Sequence, residues 1–129
     1  MSLRPPEDFR GLFRDDAAAC AVYSEAAGIA QIIPRAVAVP VDADDVVTLV
    51  RWAAAEMVPL IARGSGSSMA GGAIGDGVIV DLSRLNAMLP PDPATNTLRC
   101  GPGALRNAVD AAAREVGRTR NFRPRCAFE

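Results

Sequence analysis

The chain has 129 residues, enough for one domain of ordinary size, and half of them are hydrophobic. This composition permits a buried core and argues against a disordered chain. The net charge of −1 provides no electrostatic basis for binding nucleic acid. Histidine is absent, which removes the commonest general base and the commonest transition-metal ligand, so we predict no metal site.

Cysteine usage and hydropathy give a first indication of the compartment. No apolar run approaches the roughly 20 residues that a membrane span needs. The N-terminal residues lack the apolar segment of a signal peptide. The three cysteines, Cys20, Cys100 and Cys126, are an odd number at wide spacings, which favours free thiols over a disulfide framework. We therefore expect a cytoplasmic protein without a membrane span.

The first 35 residues are predicted to form a helical leader. Short apolar groups mixed with charges favour helical segments near residues 6–13 and 15–22, with Gly28 as a helix stop. The next segment, residues 36–40 (AVAVP), alternates β-branched residues and ends in proline, which predicts a short strand.

A helix over about residues 43–57 is the clearest element of the sequence. Asp42 or Asp44 can cap its N-terminus, where the helix dipole favours acidic side chains. Apolar residues recur at helical spacing and predict a buried stripe. The stripe comprises Val46, Val47, Leu49, Val50, Ala53, Ala54 and Met57. We therefore expect Val47→Asp to unfold the domain by burying a charge.

Further strands are predicted on both sides of a glycine-rich stretch. Residues 58–63 (VPLIAR) and 78–82 (VIVDL) have the apolar pattern of buried strands, and residues 97–100 (TLRC) begin another. A second amphipathic helix is predicted over about residues 104–116, closed by Gly117. Since strands and helices alternate only in part, we predict an α+β or mixed α/β fold in which helices pack on a small sheet.

The stretch between the two strands, RGSGSSMAGGAIGDG, contains six of the eleven glycines and three serines. We call residues 64–77 the glycine loop. Glycine permits positive φ and a close approach of a ligand to the backbone, so that several N–H groups can face one anion. Serine hydroxyls and the positive charge of Arg63 add to a pattern that suits a phosphate or pyrophosphate. The alternative is a flexible surface connection.

Two common phosphate-binding loops do not match this stretch. The P-loop requires a lysine, and all 14 basic residues of the chain are arginine. The dinucleotide pattern GxGxxG could begin at Gly64 and Gly66, but its third glycine is replaced by Met69. The glycines that follow would oppose a helix by about 1 kcal/mol each. The loop is therefore expected to join strand to strand and to bind without a helix dipole.

The segment PLIARGSGSSMAGGAIGDGVIVDLSRLN closely resembles the first flavin-binding segment of the FAD-linked oxidases. These are the vanillyl-alcohol-oxidase-like flavoproteins with a PCMH-type FAD-binding domain, and the flavoprotein subunits of D-lactate dehydrogenase and glycolate oxidase are similar. The resemblance extends backward through PRAVAVPVDADDVVTLVRWAAAEMVPL and forward through LRCGPGALRNAVDAAAREVG, covering about residues 20–117. It implies that residues 36–117 form the first half of such a domain, of α+β class with a small mixed sheet flanked by helices.

The resemblance also implies which residues bind FAD. The residues at matching positions are Pro40, Arg63, Gly64, Ser65, Gly66, Ser67, Ser68, Met69, Gly71 and Gly72. The group from Gly64 to Ser68 would hold the pyrophosphate, the later loop residues would lie along the flavin, and Pro40 would lie near the adenine. We expect Gly66→Val to abolish binding by filling the space of the pyrophosphate. Some relatives attach flavin through a histidine that corresponds to Ser67, so we expect non-covalent binding here.

The sequence departs from these relatives after the second helix. Relatives continue with a Pro-Asp-Pro segment, the second half of the flavin site and a substrate-binding cap domain. Residues 118–129 instead form an arginine-rich tail, predicted to be irregular. We therefore expect a truncated chain whose flavin site is completed, if at all, by another polypeptide.

Two functions are compatible with these features. The first is the FAD-binding portion of an FAD-linked oxidoreductase that, when complete, oxidises a 2-hydroxy acid such as D-lactate or glycolate. The second is an inactive remnant or partner-binding module without flavin. No catalytic residue is predicted. Asp76 and Asp92 are carboxylates in loops whose ordinary state is solvated, and Asp81 is expected to pin a turn rather than to contact ligand.

Overall fold

A computed structural model describes residues 3–117 of the chain. The chain divides into two compact units, Met1–Leu85 and Asn86–Glu129. The elements in chain order are β1 (Leu12–Arg14), α1 (Ala17–Val22), β2 (Ala36–Val39), α2 (Ala43–Ala55), β3 (Leu60–Arg63), β4 (Val78–Asp81) and α3 (Arg106–Glu115). The first six belong to the first unit, and α3 belongs to the second.

The first unit is built on a four-stranded mixed sheet with the order β1-β2-β4-β3. Strand β4 lies between β2 and β3 and is parallel to both, whereas β1 runs antiparallel to β2. Ala38 and Ala62 both pair with Val80, so the carboxyl ends of the three parallel strands meet at one edge of the sheet. The predicted α+β class with a small mixed sheet and helices is confirmed.

Helix α2 begins where the sequence places its acidic residues. Asp42 is the N-cap, and its side chain accepts a hydrogen bond from the amide of Asp45 at 3.0 Å. Asp45 is itself buried, and its carboxylate accepts from the amide of Val41 at 3.0 Å and from Nε of Arg10 at 3.2 Å. These partners compensate a buried carboxylate that would otherwise destabilise the fold.

The buried face of α2 differs from the predicted stripe. Leu49 and Ala53 are buried as expected, but Val47 and Val50 are 45% and 52% exposed. The buried side of the helix runs through Asp45, four residues before Leu49, because hydrogen bonds make this carboxylate compatible with the interior. The prediction that Val47→Asp buries a charge was therefore wrong.

One hydrophobic core lies between α2 and a face of the sheet. Its buried members are Ala36, Ala38, Leu49, Val58, Val78 and Val80, and Phe13 and Trp52 pack against them. The rings of Phe13 and Trp52 meet edge to face, with centroids 5.8 Å apart, an arrangement that adds to the stability from area burial alone. Val37 and Ile79 alternate with these residues and are also buried, so both faces of the central strands are covered.

The leader contains less helix than the sequence predicts. Residues 6–13 are not helical, and Leu12–Arg14 instead forms β1, whose Phe13 pairs with Ala38 of β2. Helix α1 was predicted correctly, but it ends before Tyr23, so Gly28 is not its stop. A strand of three residues carries almost no periodicity, and its pairing with β2 depends on residues far away in the sequence.

The second unit contains an exposed turn, whose two arms are joined by isolated antiparallel bridges, followed by α3. Thr97 bridges to Asp92 and Cys100 bridges to Met88, so residues 97–100 form isolated bridges rather than the predicted strand. Helix α3 lies within the predicted range and buries Val109 and Ala113. Gly117 has a φ of 73°, which confirms it as the residue that closes this helix.

Some expectations fall on residues 118–129, which lie outside the described part of the chain. They include the irregular tail and the state of Cys126.

Cys20 and Cys100 are both free thiols. None of the helices within residues 3–117 has the length and apolar character needed to span a bilayer.

Candidate functional site

The glycine loop connects β3 to β4, two neighbouring parallel strands, without a helix between them. Gly66 and Gly71 adopt positive φ values of 73° and 81°, a backbone conformation that side chains with a Cβ strongly disfavour. These two glycines are therefore required by the path of the chain.

The amides at the start of the loop are not hydrogen-bonded to backbone of the described chain. Within the described residues, none of the N–H groups from 64 to 70 donates to a backbone carbonyl. Further along, the amide of Gly72 donates to Oγ of Ser68 at 3.1 Å, and the amide of Ile74 donates to the carbonyl of Gly71 at 3.4 Å. A run of such donors, beside the exposed side chains of Ser65 and Ser67, can bind an anion.

Open space adjoins the same amides. A Cβ added at Gly64 or Gly71 would meet no heavy atom within 4 Å. A Cβ at Gly72 would meet only Oγ of Ser68, at 3.3 Å. The loop therefore leaves room for a group to lie directly against its backbone at these glycines.

Arg63, the last residue of β3, contacts the glycine loop and the leader through its partly buried side chain. Its Nη1 donates to the carbonyl of Glu25 at 2.7 Å and to the carbonyl of Ala73 at 3.2 Å. Its Cζ lies 5.1 Å from the centroid of the Tyr23 ring, within the range of a cation–π interaction. The guanidinium is thus held by backbone carbonyls and an aromatic face.

Gly66 lies against this guanidinium. A Cβ added to Gly66 would come within about 3 Å of Nη2, Cζ and Nε of Arg63. Gly66→Val would therefore collide with the protein itself, so the expected loss of binding has a cause besides the space of the pyrophosphate. The conformation of Gly66 and the position of Arg63 depend on each other.

The leader supplies contacts to the loop that the sequence did not reveal. The amide of Ala27 donates to the carbonyl of Gly66 at 3.0 Å. A Cβ at Gly28 would lie 2.6 Å from the carbonyl oxygen of Met69, so the two backbones pass in close contact. In the sequence, Gly28 could have indicated this contact, because a glycine that does not end a helix often marks a close approach of two backbone segments.

Asp81, at the end of β4, is hydrogen-bonded on both oxygens. It accepts from the hydroxyl of Tyr23 at 2.5 Å and from the amide of Ser83 at 2.9 Å. Burial works against the charged form, but these hydrogen bonds and the nearby Arg63 outweigh it and lower the pKa of Asp81. The prediction that Asp81 pins a turn is confirmed. Burial, together with the Asp81 carboxylate, raises the pKa of Tyr23 to about 12.

The other residues singled out from the sequence have different surroundings. Pro40 follows β2 and is fully buried, with its Cα next to Gly11. It belongs to the same sheet edge as Arg63 but is separated from it by two strand spacings, about 10 Å. Met69 is 81% exposed.

Neither of the loop carboxylates has the surroundings of a catalytic acid or base. Asp76 is exposed. Asp92 accepts from the amide of Ala94 at 2.9 Å and from Oγ1 of Thr95 at 2.7 Å, which stabilises a turn and lowers its pKa. Within residues 3–117 no three metal-ligating side chains come together.

Comparison with known families identifies the chain. The model of the FAD binding domain matches residues 34–128, which is most of the sequence. The chain belongs to the FAD binding domain family. The match includes the glycine loop and continues through most of the segment 118–129 that the sequence analysis set apart as a tail. The resemblance to FAD-linked oxidases is therefore confirmed, and FAD is the cofactor of the family.

Two curated relatives of this FAD binding domain are D-2-hydroxyglutarate dehydrogenases. The protein from Pseudomonas putida is 34% identical over 113 residues, which are 84% of this chain and 11% of that protein. The protein from Xanthomonas citri pv. viticola is 35% identical over 86 residues, which are 65% of this chain and 18% of that protein. The chain therefore spans less than a fifth of the length of these relatives.

Solved structures share the fold of the domain. 6-Hydroxy-D-nicotine oxidase from Arthrobacter nicotinovorans is 26% identical and matches with a TM-score of 0.73, over 89% of this chain and 26% of that one. An alkyldihydroxyacetonephosphate synthase is 20% identical and matches with a TM-score of 0.68, over 81% of this chain and 24% of that one. The second likeness concerns the fold alone.

Proposed function

We propose that the glycine loop binds the pyrophosphate of FAD and that the chain is the FAD-binding portion of an oxidoreductase. The observation that carries this proposal is the run of amides from residue 64 to residue 70 that have no backbone acceptor within the described chain. Most of these residues are exposed, so their amides are accessible, and a diphosphate supplies several acceptor oxygens at once. The open space at Gly64 and Gly71 allows such a group to approach.

Each residue of the loop has a proposed role. The backbone and hydroxyl groups from Gly64 to Ser68 bind the pyrophosphate, and Met69, Gly71 and Gly72 lie along the flavin. The exposure of Ser65, Ser67 and Met69 supports contact with a ligand. Binding is non-covalent, since Ser67 stands where some relatives have a histidine. Pro40 contributes through the backbone at the adenine end, because its ring is buried.

The substrate of the whole protein is proposed to be a 2-hydroxy acid. This is supported by the relatives named D-2-hydroxyglutarate dehydrogenase, and D-lactate and glycolate belong to the same chemical class. FAD, when bound, accepts the reducing equivalents of such an oxidation. The loop of this chain orients the cofactor, and the described residues provide no proposed catalytic base.

A further polypeptide is proposed to cover the rest of the flavin. This is supported by the exposure of large apolar side chains of the first unit, including Ile29, Ile33 and Met69.

The free thiols of Cys20 and Cys100 support a cytoplasmic location for the protein.

A titration of FAD into the purified chain, followed by quenching of flavin fluorescence, tests this function. Gly64→Ala is the informative variant, because Gly64 has no positive φ and its added methyl group meets no protein atom. We expect the native chain to quench flavin and Gly64→Ala to bind about tenfold more weakly or worse, since the methyl group displaces the phosphate.

Arg51→Ala is a control, because Arg51 is an exposed residue of α2 and lies outside the glycine loop. It should bind FAD like the native chain. A native chain that never binds FAD would favour the alternative, a module without flavin. Equal affinity of Gly64→Ala and the native chain would show that the loop is not the binding site.

A further inference from the structure

We propose that Arg63 is a positioning residue that holds the glycine loop in its binding conformation, rather than a cation that contacts the ligand. This inference rests on the proposed function, since the conformation in question is the one that presents free amides to the pyrophosphate. The sequence alone suggested the simpler role of a positive charge directed at phosphate.

The contacts of the Arg63 side chain support a positioning role. A single nitrogen, Nη1, joins the leader to the far part of the loop through the carbonyls of Glu25 and Ala73. The guanidinium also lies by the Tyr23 ring, and it occupies the space that a Cβ at residue 66 would need. One side chain at the end of β3 therefore links the leader to the later part of the loop and lies beside its earlier part.

Gly66 is the point where this support acts on the backbone. Gly66 has a positive φ and lies beside the guanidinium, and its carbonyl accepts a hydrogen bond from the amide of Ala27. The amides of 64–70 are not tied to backbone carbonyls, so the loop has few internal bonds to keep its shape. External contacts such as those of Arg63 must then supply the order.

The position of Tyr23 is fixed in turn by Asp81, which accepts its hydroxyl proton in a hydrogen bond. Asp81 is the register partner of Arg63 in the neighbouring strand. Among the described residues, ion pairs are found for Arg10 and Arg14 but not for Arg63. The guanidinium is therefore oriented by the carbonyl acceptors and the cation–π contact with Tyr23, an arrangement that a lysine ammonium does not reproduce.

Arg63→Lys separates the two roles because it keeps the charge and loses the planar contacts. Two measurements are needed, FAD affinity and hydrogen exchange at the Ala27 amide, which reports whether the carbonyl of Gly66 is in place. We expect Arg63→Lys to weaken FAD binding about tenfold, as much as Arg63→Met does, because each loses the same hydrogen bonds. Exchange at Ala27 should accelerate by a similar factor without FAD present.

Three controls make the result specific. Arg51→Lys, on the exposed side of α2, should leave both measurements unchanged. Exchange at Val80, in the central strand, should stay slow in all variants. In Arg63→Ala, guanidinium chloride at non-denaturing concentration should slow exchange at Ala27 again, whereas sodium chloride at the same ionic strength should not.

Tyr23→Leu provides a second variant that leaves the charge of Arg63 in place. It should accelerate exchange at Ala27 and weaken FAD binding, because the guanidinium loses the ring that orients it. Native affinity together with native exchange in Arg63→Lys would overturn the proposal, as would equal acceleration of Ala27 and Val80 in every variant. If the native chain does not bind FAD, the proposed function fails, while exchange at Ala27 still decides the role of Arg63.

Discussion

The hydroxyl of Tyr23 donates a hydrogen bond to Oδ2 of Asp81 across 2.5 Å, although the two residues are 58 positions apart in the sequence. Asp81 ends β4 and pairs in register with Arg63 at the end of β3. The ring of Tyr23 also lies next to the guanidinium of Arg63. The leader is therefore part of the support of the glycine loop.

Tyr23→Phe should destabilise the first unit by about 1–2 kcal/mol, because the buried Asp81 carboxylate loses a charge-assisted hydrogen bond. The ring remains beside Arg63, so the loop contacts are retained. Urea unfolding followed by circular dichroism measures the change. An unfolding midpoint equal to that of the native chain would contradict the importance of this hydrogen bond.

Stability should decrease at alkaline pH through the same tyrosine. The fold raises the pKa of Tyr23 from 10.0 to about 12, so the folded state holds the phenolic proton more tightly than the unfolded state. The resulting stabilisation is complete below the unfolded pKa and is lost as pH rises through the folded pKa. Tyr23 is the only tyrosine, so ultraviolet absorbance of tyrosinate follows it directly.

Asp81→Asn provides the control for this titration. Removing the carboxylate charge should bring the titration midpoint of Tyr23 down toward its ordinary value, with burial keeping part of the shift. A midpoint near 10 in the native folded chain would show that Tyr23 and Asp81 do not interact.

Two substitutions on α2 should differ strongly. Leu49→Ala removes a fully buried side chain from the core and should cost about 2–5 kcal/mol. Val47→Asp changes an exposed position of the same helix and should alter stability by about 0.5 kcal/mol or less. Thermal unfolding of both variants tests the orientation of the helix, and the reverse order of effects would mean that the assigned face is wrong.

Two glycines of the loop should also differ. Gly77→Ala places a Cβ 2.3 Å from the carbonyl oxygen of Pro59 and should cost about 2 kcal/mol, because backbone has to move at the start of β4. Gly64→Ala meets open space and should stabilise the apo chain by up to about 1 kcal/mol through the unfolded state. Chemical denaturation compares them, and equal effects would contradict the described path of the loop.

Much of the first unit follows from local patterns. The strand beginning at Ala36, the helix capped by Asp42 and the strands on either side of the glycine loop were predicted within a few residues of their actual bounds. Apolar periodicity and capping preferences act over a few residues, so they can be recognised without knowing the tertiary structure. The glycine loop was found in the same way, since its composition excluded a helix.

Other features depend on partners that are distant in sequence. The strand Leu12–Arg14 exists because β2 is there to pair with it, and its own three residues carry no clear period. The buried face of α2 turns toward Asp45 because Arg10 and Val41 supply hydrogen-bond donors to it. A hydrophobicity pattern treats an aspartate as exposed and cannot anticipate such compensation.

By itself the sequence determined the order of the main strands and helices, the location of the glycine loop and the family, because these depend on short-range patterns and on motif spacing. Only the tertiary structure decided what holds that loop in shape. Tyr23 and Glu25 contact Arg63, which precedes the loop, and Ala27 contacts Gly66 within it, each across about 40 positions of sequence. Contacts of this kind arise when the chain folds back on itself, so no local pattern encodes them.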